Sequence, residues 1–163
     1  MFVDSDLKFI AALKGLGLHL DLNSFDSRII LQKKVYLAQW CGLDLNSRYG
    51  WYIRGPYSTD ISHAAYRIQS IFEDERISNI LPSFERNEEK QLSKSQELFK
   101  AIDQLGEDKA YWYELVASVA FLQESNNLQD EDIFSFLETA KPRMFSKEHV
   151  RKALKTLRQF RRK

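Results

Sequence analysis

With 163 residues, 44% of them hydrophobic, 13% aromatic and 29% charged, the chain has the composition of a folded domain, not a disordered one. Six Gly and three Pro leave little material for the tight turns of an all-β fold, and a single cysteine, Cys41, excludes a disulfide scaffold. The net charge of +1 hides an asymmetry: residues 143–163 hold nine Lys/Arg against one acid, Glu148, a net +8, so the other 142 residues carry −7.

The first helix is expected from about Ser5 to Leu16, with Leu7, Ile10, Leu13 and Leu16 at helical spacing and Gly15 or Gly17 ending it. Ser24 or Asp26 can cap a second helix, which carries Ile29 or Ile30, Lys33, Tyr36, Leu37 and Trp40 on related faces. Gly42 suits the left-handed residue after its end. The aromatic and β-branched run at 49–53 suits a short strand, with Trp51 and Ile53 on one face and Tyr52 on the other. Gly55-Pro56 is expected to break it.

Ser58 then caps a third helix whose apolar face is Ile61, Ala64, Ala65, Ile68, Ile71 and Phe72. Residues 73–86 are the least regular and form the one candidate subdomain joint. A fourth helix is expected from about Asn87 to Leu105, and a fifth from about Asp108 to Gln123. The fifth is the most apolar, so Trp112, Leu115, Val116, Val119, Ala120 and Phe121 should be central to the core. Asp130 or Asp132 opens a sixth helix that ends at Lys141-Pro142, and Ser146 caps a seventh with Val150, Leu154, Leu157 and Phe160 on one stripe.

The N-terminal stretch places acids before its apolar residues and lacks the basic start of a secretory signal. No run approaches the ~20 apolar residues that span a bilayer. The expectation is a cytoplasmic protein with no membrane segment.

Candidate chemistry is sparse. Cys41 falls at a helix C-terminus, where the dipole disfavours a thiolate, so small apolar filler is its expected role. His19, His63 and His149 share no ligand spacing, so no metal is expected. Neither a Walker-type nor a dinucleotide-binding glycine pattern occurs, and no cofactor is expected. Arg54, Tyr57, Ser58, Asp60 and His63 cluster at the start of the third helix. They can form an anion or acid–base site, or Ser58 and Asp60 can simply cap the helix with His63 in solvent. On the last helix, Arg151, Lys152, Lys155, Arg158, Arg161 and Arg162 flank the apolar stripe. They can neutralise phosphates, dock on the acidic body, or remain solvated beside the C-terminal dipole. Tyr49, Trp51, Tyr52 and Tyr57 admit base stacking or core packing with exposed tips.

Leu31-Gln32-Lys33 with Tyr36-Leu37, followed by Trp51-Tyr52-Ile53-Arg54-Gly55-Pro56-Tyr57-Ser58, resembles the YwgA-like family of small bacterial and archaeal proteins. A looser likeness is to the SocA-like (Panacea) antitoxin domain, which pairs a similar helix with a later Trp…Gly-Pro turn. The match covers about Arg28 to Ile71. The first resemblance implies a mainly helical fold; the second implies antitoxin-type protein binding. Neither supplies catalytic residues. Independently, Gln32 is placed to satisfy backbone or side-chain polar groups at the helix flank, and Gly55-Pro56 to set the chain direction before the third helix.

The expected fold is therefore a mainly α bundle of six or seven helices with a short strand or extended segment near 49–53. Its N-terminal half admits a winged-helix-like arrangement. The leading expectation for function is a non-enzymatic regulatory or protein-interaction module, antitoxin-like or defence-associated, that contacts a protein partner or itself. The alternatives are nucleic-acid binding through the basic last helix, and an enzyme with a site around Arg54–His63.

Overall fold

In the computed structural model, which describes residues 3–161, the helices after the first begin where a polar residue precedes them, and the first begins after Val3. Eight helices and two strands occur among the described residues: α1 (Asp4–Gly15), α2 (Phe25–Trp40), β1 (Gly50–Tyr52), β2 (Gly55–Tyr57), α3 (Thr59–Ile68), α4 (Glu75–Ser78), α5 (Arg86–Asp103), α6 (Lys109–Ser125), α7 (Asp130–Ala140) and α8 (Lys147–Phe160). Ser24, Ser58, Asp108 and Ser146 accept backbone N–H bonds from Ser27, Ile61, Tyr111 and His149. Each satisfies a donor that a helix start leaves orphaned. At α5 the Glu88 carboxylate accepts from the Glu85 N–H at 3.0 Å.

α6 is the central element. Twelve of its seventeen residues are buried, so it needs partners on every side. α2, α5, α7, α8 and β2 supply them. The larger core gathers Leu37, Leu98, Leu115, Val119, Ile133 and Leu157 around this helix. A second core lies between α1, α2 and α3, with Phe9, Ile10, Leu13, Val35, Ile61 and Ile68. α2 joins the two, because Val35 faces one and Leu37 the other.

The helix beyond the expected seven is the four-residue α4, inside the irregular 73–86 segment. Ile77 and Leu81 pack on the smaller core and Phe84 on the larger, so the segment bridges both. α8 lays Val150, Ala153 and Leu157 onto the body, against α5, α6 and α7. Its cations face outward. Arg162 lies outside the described residues.

The strand segment is a hairpin, and its turn falls one step earlier than the Gly-Pro break. β1 and β2 pair antiparallel with Trp51 opposite Pro56 and Tyr52 opposite Gly55, so Ile53 and Arg54 make the turn. Ile53 therefore leaves the strand alternation and does not share a face with Trp51. Trp51 packs beside Phe121 and Phe136. Pro56 is tolerated because a two-stranded sheet consists of edges. The hairpin sits between α2 and α3 with β2 held against α2 and α6. A wing in the winged-helix sense would project; here Gly55 and Pro56 are buried, and Tyr52 and the tip emerge. Among the described residues no helix is long and apolar enough to cross a membrane.

Candidate interaction face around a pinned hairpin

The hairpin is held by polar side chains from α2, from α6 and from Lys141, the residue after α7. From α2, the Gln32 amide donates to the Ser58 carbonyl at 2.9 Å, and its oxygen accepts from the Ser58 N–H at 3.0 Å. One turn-step away, the Lys33 ammonium donates to the Pro56 carbonyl at 2.6 Å. The Pro56 carbonyl is on the outer edge of β2 and the Ser58 N–H precedes the first turn of α3, so neither has a partner in the strand ladder or the helix. Buried without partners they would each cost about 1–3 kcal/mol.

From α6, the buried Glu114 carboxylate receives two cations. Arg54 in the hairpin turn donates its Nε–H to Oε1, and Lys141, just past α7, donates to Oε2 at 2.8 Å. Lys141 also donates to the Ile53 carbonyl. Both oxygens of the acid are thus satisfied, as a buried charge requires. Lys33 lies near enough to feel the whole cluster. Burial pushes its ammonium down to about 7; Lys141 and Arg54 repel it further, against the pull of Glu114.

Gly55 passes close to α6 at this point. Its φ is +88°, and a Cβ there would lie 2.4 Å from the Ser118 hydroxyl oxygen. Only glycine meets both conditions without strain. The Ser118 hydroxyl is itself buried without a hydrogen-bond partner.

With its polar groups turned inward, the hairpin presents apolar surface outward. Ile53 at the tip is 89% exposed, and Phe25, Tyr52 and Tyr66 are each about half exposed. The Arg54 guanidinium lies 5.2 Å from the Phe25 ring centroid, and Tyr52 meets Tyr57 edge-on at 5.3 Å. Beside them runs a groove of about 240 Å³, lined by Phe25, Ile29, Tyr57, Ile61, Ala65 and Tyr66. Isolated exposed apolar residues are ordinary; neighbouring ones form a patch that water solvates poorly.

The residues expected to form a site at 54–63 are divided by this arrangement. Arg54 is paired with Glu114, and Ser58 is buried as cap and as the partner of Gln32. Tyr57 lines the apolar groove, whereas Asp60 lines another with Asp6 and Arg67. His63 is exposed on α3. The geometry does not gather these groups around one point where a substrate would sit. Glu114 and Lys141 were not singled out by the sequence reading. The available signal was an acid within the apolar run 112–122. Among the described residues no group of three or more His, Cys, Asp or Glu side chains is placed to hold a metal ion.

On the basic helix, Arg151, Lys152, Lys155, Arg158 and Arg161 are all exposed. Arg158 approaches Asp130 at 3.6 Å and Lys152 approaches Glu148 at 3.8 Å. Comparison of the chain with family models, curated proteins and solved structures found no match.

Proposed function

We propose that this chain is a non-enzymatic, cytoplasmic regulatory module that acts by protein contact, of the kind that the looser likeness to the SocA-like antitoxin domain implies. Its contact surface is the aromatic face of the hairpin. The observation that carries this reading is the division of labour in the turn: Arg54 and Ser58 are engaged inside the protein, while Ile53, Tyr52, Phe25 and Tyr66 are offered to solvent. Aromatic side chains with few rotatable bonds are the residue types that anchor protein interfaces.

The occupant is a second copy of this chain. The chain offers both a protruding side chain, Ile53 at the hairpin tip, and an apolar groove lined by Phe25, Tyr57 and Tyr66. A two-fold contact requires that pairing, since each copy must offer both halves. Sedimentation velocity over the micromolar range tests it. The wild-type chain should dimerise with concentration. Ile53→Asp and Tyr66→Glu, both at exposed positions, should be monomeric with unchanged melting temperatures. A wild-type chain that stays monomeric throughout, or variants that still dimerise, would overturn the assignment.

A further inference from the structure

We propose that the solvent face of α8 binds the phosphate backbone of duplex nucleic acid, without reading its sequence. The inference is independent of the hairpin face. α8 is fastened to the body by Val150, Ala153, Thr156 and Leu157, so its cations are not needed to hold it there. Lys147, Arg151 and Lys155 form one row at four-residue spacing, with Lys152 and Arg158 beside it; all five are exposed. Among the described residues of α8 only Lys152 and Arg158 approach acids, at 3.8 and 3.6 Å, in solvent-exposed pairs that contribute little. Among the described residues neither Arg151 nor Lys155 forms an ion pair.

The helix dipole does not explain this distribution. Cations suit the last turn of a helix, yet Lys147, Arg151 and Lys152 stand in the first half of α8. The fourteen residues span about 21 Å, and a duplex carries a negative charge about every 1.7 Å of its axis. The row Lys147–Arg151–Lys155 itself covers about 12 Å of that length, enough to meet several phosphates at once. The acidic remainder of the chain would repel the same polyanion, which favours approach by this face.

Two absences on the face narrow the partner. Phe160 is half-buried and no aromatic side chain of α8 is exposed, so unpaired bases find no stacking platform. The apolar side of α8 is buried on the body, so it has none to insert into a lipid surface. The remaining match is a regular array of phosphates.

The test is fluorescence anisotropy with two unrelated 20-base-pair duplexes and a 20-nucleotide single strand, from 50 to 200 mM salt. Both duplexes should bind alike and more tightly than the single strand. The log–log salt slope should be about −3 to −5, set by four or five phosphate contacts. Arg151→Gln/Lys155→Gln/Arg158→Gln should weaken duplex binding at least about tenfold at 50 mM and make the slope shallower by about 3. Should that triple variant fail to fold, the single substitutions Arg151→Gln and Lys155→Gln should each remove about one unit of slope. Absence of duplex binding at 50 mM would overturn the proposal. So would unchanged binding by the folded triple variant, tighter binding to the single strand, or capture by phosphatidylserine vesicles without duplex binding.

Discussion

Gln32 and Ser58 exchange two hydrogen bonds across 26 positions of sequence, the amide of one satisfying both backbone groups of the other. The pairing fixes where the hairpin ends and α3 begins. Replacing Gln32 with Ala orphans the buried Ser58 N–H, while the Ser58 carbonyl keeps its bond from the Ser62 N–H. The expected loss is about 1–3 kcal/mol, the cost of one unsatisfied buried donor. Urea unfolding checks it; a loss under half a kcal/mol would mean that water reaches Ser58 and that the amide is dispensable.

Lys33 makes stability depend on pH. Its ammonium titrates near 7 in the folded protein and near 10.5 in an unfolded chain. Between those values the unfolded state binds more protons, so unfolding free energy rises as pH rises from about 7 to about 10. Below 7 both states are protonated and the contribution is flat. Lys33→Met should make that rise shallower, leaving only the part that burial of the neighbouring Lys34 ammonium supplies in the same direction. Melting temperatures of both proteins at half-unit pH intervals decide the matter.

Glu114 holds two cations, so neutralising it leaves both without a counter-charge. Glu114→Gln should cost about 3–5 kcal/mol, toward the lower end because Arg54 is one-third exposed while Lys141 is almost fully buried. Arg54→Ala should cost less than Lys141→Ala for the same reason. The reverse order in denaturant unfolding would show that the turn, not the pair past α7, carries the interaction.

Gly55→Ala combines a backbone conformation that L-residues resist with a collision at Ser118. Ser118→Ala removes the colliding oxygen but leaves the φ of +88°, so it should rescue Gly55→Ala only in part. Alone, Ser118→Ala should be neutral or stabilising, since it deletes a buried hydroxyl that has no partner. A double-mutant cycle measures the coupling. An interaction energy near zero would place strain in the backbone alone.

What the sequence by itself determined is local. Caps at Ser24, Ser58, Asp108 and Ser146 set four helix starts, because a side-chain oxygen meets an orphan N–H within three residues. The all-round apolar character of α6 marked it as central, since such a helix must be covered on every side. Even Gln32 was legible as a polar group on the flank of an apolar helix, though its partner was not.

Tertiary structure alone decided the rest. Arg54 and Glu114 stand 60 positions apart, and Lys141 a further 27 beyond the acid. No periodicity or cap encodes that convergence; it exists only after α2, α6 and the end of α7 have packed around one hairpin. Gly55-Pro56 reads as the break, whereas the reversal falls at Ile53–Arg54, for a related reason. Glycine at 55 is required by the positive φ together with the close approach to Ser118, and the second of these exists only once α6 packs there. The outward setting of the α8 cations was equally undecided, because its five Lys/Arg side chains read the same whether they face solvent or an acidic body. Burial of Val150, Ala153 and Leu157 against α5, α6 and α7 turned them to water.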